Sequence, residues 1–179
     1  TTVCFIIQAP YTQQFNASSW APCWTHQETG GASSTLWSVR NSANAGGTAY
    51  EMFLFWQSAN PAITRLVTPA ITTTGISQLN VSFRHFYDDW GSGGTMRLQS
   101  SADGITWTDE GFSINSGSGN VGPALVTVPV TNNLGAVTYL AWAAVGNLYN
   151  YDAWYIDNVE ITGISSAKTL HPKVFIEGF

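Results

Sequence analysis

Carboxylates, histidines and loop aromatics are the residues through which this chain could do chemistry, and their spacing limits which chemistry that is. In Tyr151-Asp152-Ala153-Trp154-Tyr155-Ile156-Asp157-Asn158-Val159-Glu160-Ile161-Thr162 the residues from Trp154 to Ile161 alternate in a two-residue period. On a strand this puts Trp154, Ile156 and Asn158 on one face and Tyr155, Asp157, Val159 and Ile161 on the other. Asp157 is thereby expected to point inward among apolar neighbours. A carboxylate in that position needs a cation, an arginine or backbone amides as partner, which makes Asp157 the first candidate metal ligand.

Other constellations point away from catalysis. Asp88 and Asp89 form an adjacent pair in Tyr87-Asp88-Asp89-Trp90-Gly91. Neighbouring strand residues point oppositely, so the pair cannot serve one substrate as acid and base unless a loop begins there. The glycines that follow favour a solvated loop. His26, His85 and His171 are dispersed without a Glu-x-x-His spacing, and no Gly-x-Ser-x-Gly elbow is present. The sequence therefore reads as that of a non-enzyme. For binding, Trp90, Tyr149, Tyr151 and Asp152 stand out, because they fall in Gly- or Asn-rich stretches. Flat rings stack on sugar faces, and nearby Asp and Asn exchange hydrogen bonds with hydroxyls. The alternative is that these rings only cover one end of the fold.

The elements that must position these residues are strands. Tyr50 to Trp56, Arg65 to Val67, Leu79 to Tyr87, Thr95 to Ser100, Leu125 to Val128, Val137 to Val145 and Ala153 to Thr162 carry β character between turn residues. Leu79, Val81, Phe83, His85 and Tyr87 share one face by strict alternation. Ser101-Ala102-Asp103-Gly104-Ile105-Thr106-Trp107 predicts a hairpin in which Asp103 accepts hydrogen bonds from the turn and Trp107 packs over it. No segment of helical length shows a 3.6-residue stripe. The expectation is an all-β chain forming a two-sheet antiparallel sandwich.

Composition agrees with that class and narrows the partners. The 179 residues suit a single domain, expected over residues 1–163, with 164–179 as a linker and the start of a following β module. Charged residues make up 9%, against about 25% in an ordinary soluble protein, while aromatics reach 13% with eight tryptophans. This suits an extracellular β protein. A formal net charge of -5 excludes nucleic acid as a partner, and no apolar run is long enough for a membrane span. Cys4 and Cys23 either close a disulfide in an oxidising compartment or stay as two separate buried thiols.

The order of motifs carries a resemblance. Pro10-Tyr11-Thr12-Gln13-Gln14-Phe15-Asn16, Pro22-Cys23-Trp24, Leu66-Val67-Thr68-Pro69-Ala70-Ile71, Leu79-Asn80-Val81-Ser82-Phe83, the Asp103-Gly104 hairpin and Trp154-Tyr155-Ile156-Asp157-Asn158-Val159 follow one another. Together they resemble the MAM-like jelly-roll superfamily, and within it the cleaved-adhesin type domain of bacterial surface proteins. The tail Leu170-His171-Pro172-Lys173-Val174-Phe175-Ile176-Glu177-Gly178 resembles a junction that opens the next module of such proteins. The resemblance implies a jelly-roll sandwich that is secreted or surface-displayed, often through type IX secretion. Its partners would be a glycan or protein surface ligand and neighbouring modules of a longer chain, and its role adhesion, spacing or that of an accessory domain in a secreted protease or glycosidase. It also implies a structural Ca²⁺ between the N-terminal and closing strands. The closing position is Asp157. The other, usually acidic, is Asn16 here, which offers a neutral carbonyl oxygen, and Glu28 and backbone carbonyls would complete the set.

Overall fold

The structure, a computed structural model, describes residues 4–166. Among them the elements are all strands: β1 (Ile7–Gln8), β2 (Tyr11–Gln13), β3 (Thr25–Thr29), β4 (Trp37–Arg40), β5 (Glu51–Phe55), β6 (Ala62–Val67), β7 (Ile71–Thr72), β8 (Ile76–Asp89), β9 (Gly94–Ser101), β10 (Thr108–Asn115), β11 (Val121–Val130), β12 (Val137–Gly146) and β13 (Tyr151–Ser165). They build two sheets packed face to face. One runs β1-β7-β12-β6-β3, with β9 also beside β12 and β10 beyond it; the other runs β11-β8-β13-β5-β4, with β2 also beside β13. Pairing is antiparallel except between β1 and β7. The expected all-β two-sheet sandwich is the observed architecture.

Alternation along β8 sets the core. Leu79, Val81, Phe83, His85 and Tyr87 all lie inside, as their two-residue spacing requires. They meet the other sheet through aromatic rings: Phe83 packs edge-on to Trp142 at 5.3 Å, and Trp142 stacks on Trp24 at 5.7 Å. The 101–107 hairpin is also present. Gly104 supplies the positive φ of +72°, and the Asp103 carboxylate accepts the amides of Ile105 at 2.8 Å and Thr106 at 2.7 Å. Those amides, with the Ser101 hydroxyl, hold the Asp103 pKa down at about 2. Trp107 lies across the seven-stranded sheet, donating to the Gln27 side chain at 3.1 Å beneath the Arg65 guanidinium.

The closing strand departs from its sequence pattern. Trp154 and Ile156 face the core in place of the Asp157 face expected there, the register against β8 shifts between Asp157 and Glu160, and Asn158 takes a left-handed φ of +48°. This bulge turns Val159 and Ile161 back into the core, where both are buried. Asp157 therefore points away from the core, to the outer face of the six-stranded sheet, yet it is fully buried. What buries it is the loop between β4 and β5. The strand also runs past the boundary expected at residue 163: Ser165 pairs with Ile76, and the Ser166 amide donates to the Gly75 carbonyl at 2.8 Å. The module start expected at Lys173 to Phe179 lies outside the described residues.

His85 gives a pH test of this core. Burial among Phe83 and Phe112 lowers its pKa to about 4. The unfolded chain therefore binds the proton more readily, and stability falls as pH drops from about 6.5 towards 4. Between pH 7 and pH 4 the parent should lose about 3 kcal/mol more than His85→Leu, as judged by urea denaturation.

Candidate functional site

The site is assembled at one end of the sandwich by three loops that fix one another. The Asn147 amide donates to the Gly93 carbonyl at 2.9 Å, the Leu148 amide to Ala59 at 3.0 Å, and the Gln57 amide to Leu148 at 3.0 Å. Leu148 is fully buried beneath them and acts as a plug. The next residue, Tyr149, is turned outward, its amide held by the Asn147 side chain at 3.1 Å. Its ring meets Trp56 edge-on, with centroids 5.3 Å apart and planes at 84°. Trp56, Trp90, Tyr149 and Asp152 line a cleft of about 120 Å³. A second cleft, of about 480 Å³, lies against the same tyrosine and is lined by Ser58, Ala59, Asn60 and Asn147.

Trp90 is 66% exposed, and its loop is held by the aspartate before it. Asp89 accepts the amides of Gly117 at 2.8 Å and Gly119 at 2.7 Å and the Tyr87 hydroxyl at 2.9 Å. Burial pushes this carboxyl up, but the bonds from Gly117, Gly119 and Tyr87 outweigh it, and its pKa stays below the usual range. Asp89 is thus a loop clamp. Asp88 lies across from Ala153 in the neighbouring strand, so the adjacent pair points to opposite sides of β8 and does not face one substrate.

Three of the expected ligand-binding residues, Trp90, Tyr149 and Asp152, come together in one cleft. The fourth does not. Tyr151 is fully buried, with its ring 6.4 Å from Tyr87, because β13 begins there and the residue drops into the core. Its place is taken by Trp56. The signal for Trp56 was in the sequence: in Phe53-Leu54-Phe55-Trp56 the last two aromatics are adjacent and cannot share a strand face. Phe55 and Trp56 also continue a line of rings over the outer face of the sheet. Trp56 meets Phe55 at 5.5 Å, Phe55 meets Phe53 at 5.8 Å, and Phe53 meets Tyr155 at 5.1 Å.

The expected metal ligands separate. Asp157 Oδ1 accepts the Asn158 amide at 2.7 Å, while Oδ2 is buried without a partner. Burial pushes its pKa up to about 6, reinforced by the Glu51 carboxylate and opposed by the Asn158 amide and Arg84. Gly47 lies directly over it: a Cβ there would sit 1.8 Å from Oδ2. Asn16 reaches the same loop, its Oδ1 accepting the Thr48 hydroxyl at 2.7 Å. Glu28 lies elsewhere, on β3 of the opposite sheet, with its carboxylate 2.8 Å from His26 Nδ1. The second carboxylate felt by Asp157 is Glu51, which sequence reading missed. Glu51 accepts the Ser42 hydroxyl at 2.6 Å and the Asn44 and Ala45 amides at 2.8 Å, and so folds the covering loop.

Cys4 and Cys23 are free thiols that line one groove on the seven-stranded sheet, with Phe5, Ile6 and Tyr139. A hydrogen bond shared with Cys23 raises the Cys4 pKa, so the two are neighbours rather than separate buried thiols.

No protein-family model matches the chain, and no curated protein does. Solved structures do share its fold. The K1 cleaved adhesin domain of Lys-gingipain from Porphyromonas gingivalis W83 superposes with a TM-score of 0.63 at 14% identity, covering 88% of this chain and 99% of that one. A family 11 carbohydrate-binding module from Clostridium thermocellum, in complex with a β-1,3-1,4-mixed-linked tetrasaccharide, gives 0.52 at 14% identity, over 87% and 98% of the chains. TmCBM61 in complex with β-1,4-galactotriose gives 0.53 at 13% identity, over 84% and 94%. The chain has the fold of adhesin and carbohydrate-binding β-sandwiches.

Burial separates the exposed Trp90 from the structural Tyr151. Trp90→Ala should leave the urea midpoint unchanged, whereas Tyr151→Ala should cost about 3–5 kcal/mol of stability.

Proposed function

We propose that this chain is a non-catalytic glycan-binding module that works outside the cell, in adhesion, as one part of a longer secreted or surface-displayed protein. The observation that carries this reading is the cleft of exposed rings, Trp56, Trp90 and Tyr149, around Asp152. Large apolar side chains left in water on rigid loops are costly unless a ligand covers them. Rings, two of them edge-on, that share a cleft with a carboxylate suit a sugar, whose apolar face stacks while its hydroxyls donate. The fold supports the reading, since carbohydrate-binding modules and an adhesin domain share it. Isothermal titration with β-linked oligosaccharides tests it: Trp90→Ala and Trp56→Ala should each weaken binding at least about tenfold without lowering the melting temperature. Unchanged affinity in both variants would place the ligand elsewhere.

A structural Ca²⁺ belongs to the same proposal. The orphaned, buried Oδ2 of Asp157 fits such an ion, with Asn16 and carbonyls of the 41–50 loop as neutral oxygen donors. Among the described residues no cluster of three His, Cys, Asp or Glu exists, so neutral oxygens would supply most of the ligands. Asp157 and Asn16 would hold the ion, which would supply positive charge beside the buried carboxylate. Ca²⁺ at a hundredfold excess over its dissociation constant should raise the melting temperature by about 5–10 °C in the parent and not in Asp157→Asn. In an oxidising compartment the neighbouring Cys4 and Cys23 would form a disulfide that fastens the N-terminal strand to β3.

A further inference from the structure

The charge pattern around the aromatic cleft says more than that a sugar fits. Asp152 is half-buried, and among the described residues it makes no ion pair and no hydrogen bond. The described arginines are all committed elsewhere. Arg40 lies over the Phe53 ring, Arg84 has its guanidinium beside Gly46 in the β4–β5 loop, and Arg65 and Arg97 belong to the other sheet, held by Gln99 and Asp109. None of them lines either cleft. Among the described residues the site therefore presents three electron-rich rings and one carboxylate with no cationic partner, in a chain of net charge -5.

Such an arrangement favours a positive charge. The faces of Trp and Tyr attract ammonium groups, and the attraction grows as the cation loses water. A carboxylate with no competing cation adds to it, while an acidic sugar would be repelled. The cleft of about 120 Å³ has room for a compact ammonium group. The larger cleft of about 480 Å³ across Tyr149 can take the neighbouring sugar residue.

We propose that the Trp56–Trp90–Tyr149–Asp152 cleft recognises a glycan through a free ammonium group, so that its ligand is an amino sugar. This rests on the glycan reading above and specifies its substrate class. The cation contributes both selectivity and a salt-sensitive part of the affinity.

Isothermal titration at pH 6 and low salt, with β-1,4-glucosamine oligomers, their N-acetylated counterparts and neutral β-1,4-glucans, tests the assignment. The glucosamine oligomer should bind about tenfold tighter than the other two, and in Asp152→Asn that advantage should vanish, so that all three probes bind the variant with similar affinity. Added salt should weaken only the glucosamine complex. Equal affinity for all three probes, or an advantage that survives Asp152→Asn, overturns the amino-sugar assignment and leaves the glycan reading standing. Binding of none of the three overturns both.

Discussion

β13 must be buried on both faces, and most of the molecule is arranged around that requirement. The strand lies inside its sheet between β8 and β5. Its inner face carries Trp154 and Ile156 into the core, and its outer face carries Tyr155 and Asp157. Covering an aromatic ring is favourable, but covering an unpaired carboxylate costs several kcal/mol. The chain meets this with a loop held by Glu51, whose oxygens take two amides and a hydroxyl, and with Gly47, which alone leaves room for the Asp157 oxygen. The remaining mismatch shows in the raised pKa of about 6. Without a cation, the stability contributed by Asp157 is present at acid pH and is lost as pH rises through 6. His85, on the neighbouring strand, has the opposite sign.

The same strand positions the binding end. Just before β13 the chain turns Leu148 inward and Tyr149 outward, and Tyr151 then re-enters the core. Backbone bonds to the 57–59 and 91–94 segments hold that turn, and Asp89 holds the loop bearing Trp90. The rings are therefore placed before any ligand arrives, and little ordering entropy remains to be lost on binding. Rings and a carboxylate line the cleft they form.

Much of this was legible in the residues. Strict alternation gave the inner face of β8, Asp103-Gly104 gave the hairpin, and ring-bearing loops gave Trp90, Tyr149 and Asp152. Two failures lie on β13: a bulge at Asn158 reversed the faces after Asp157, where alternation assumes an unbroken strand, and the strand begins at Tyr151 rather than Ala153, so a residue read as loop enters the core. Polar strands such as Thr25–Thr29 and Thr108–Asn115 left no apolar rhythm to read. Glu51 was hidden for a different reason: nothing in its neighbourhood marks a strand-end glutamate as the organiser of the loop before it.

The central claim is that ligand binds at the Trp56–Trp90–Tyr149 end and not in the groove on the seven-stranded sheet near Trp107. The indole N–H signals of the tryptophans in a ¹H–¹⁵N spectrum, followed during titration with a β-linked oligosaccharide, separate these directly. The Trp56 and Trp90 signals should move with a common saturation curve while that of Trp107 stays in place. Movement of Trp107 with Trp56 and Trp90 unmoved would contradict the account.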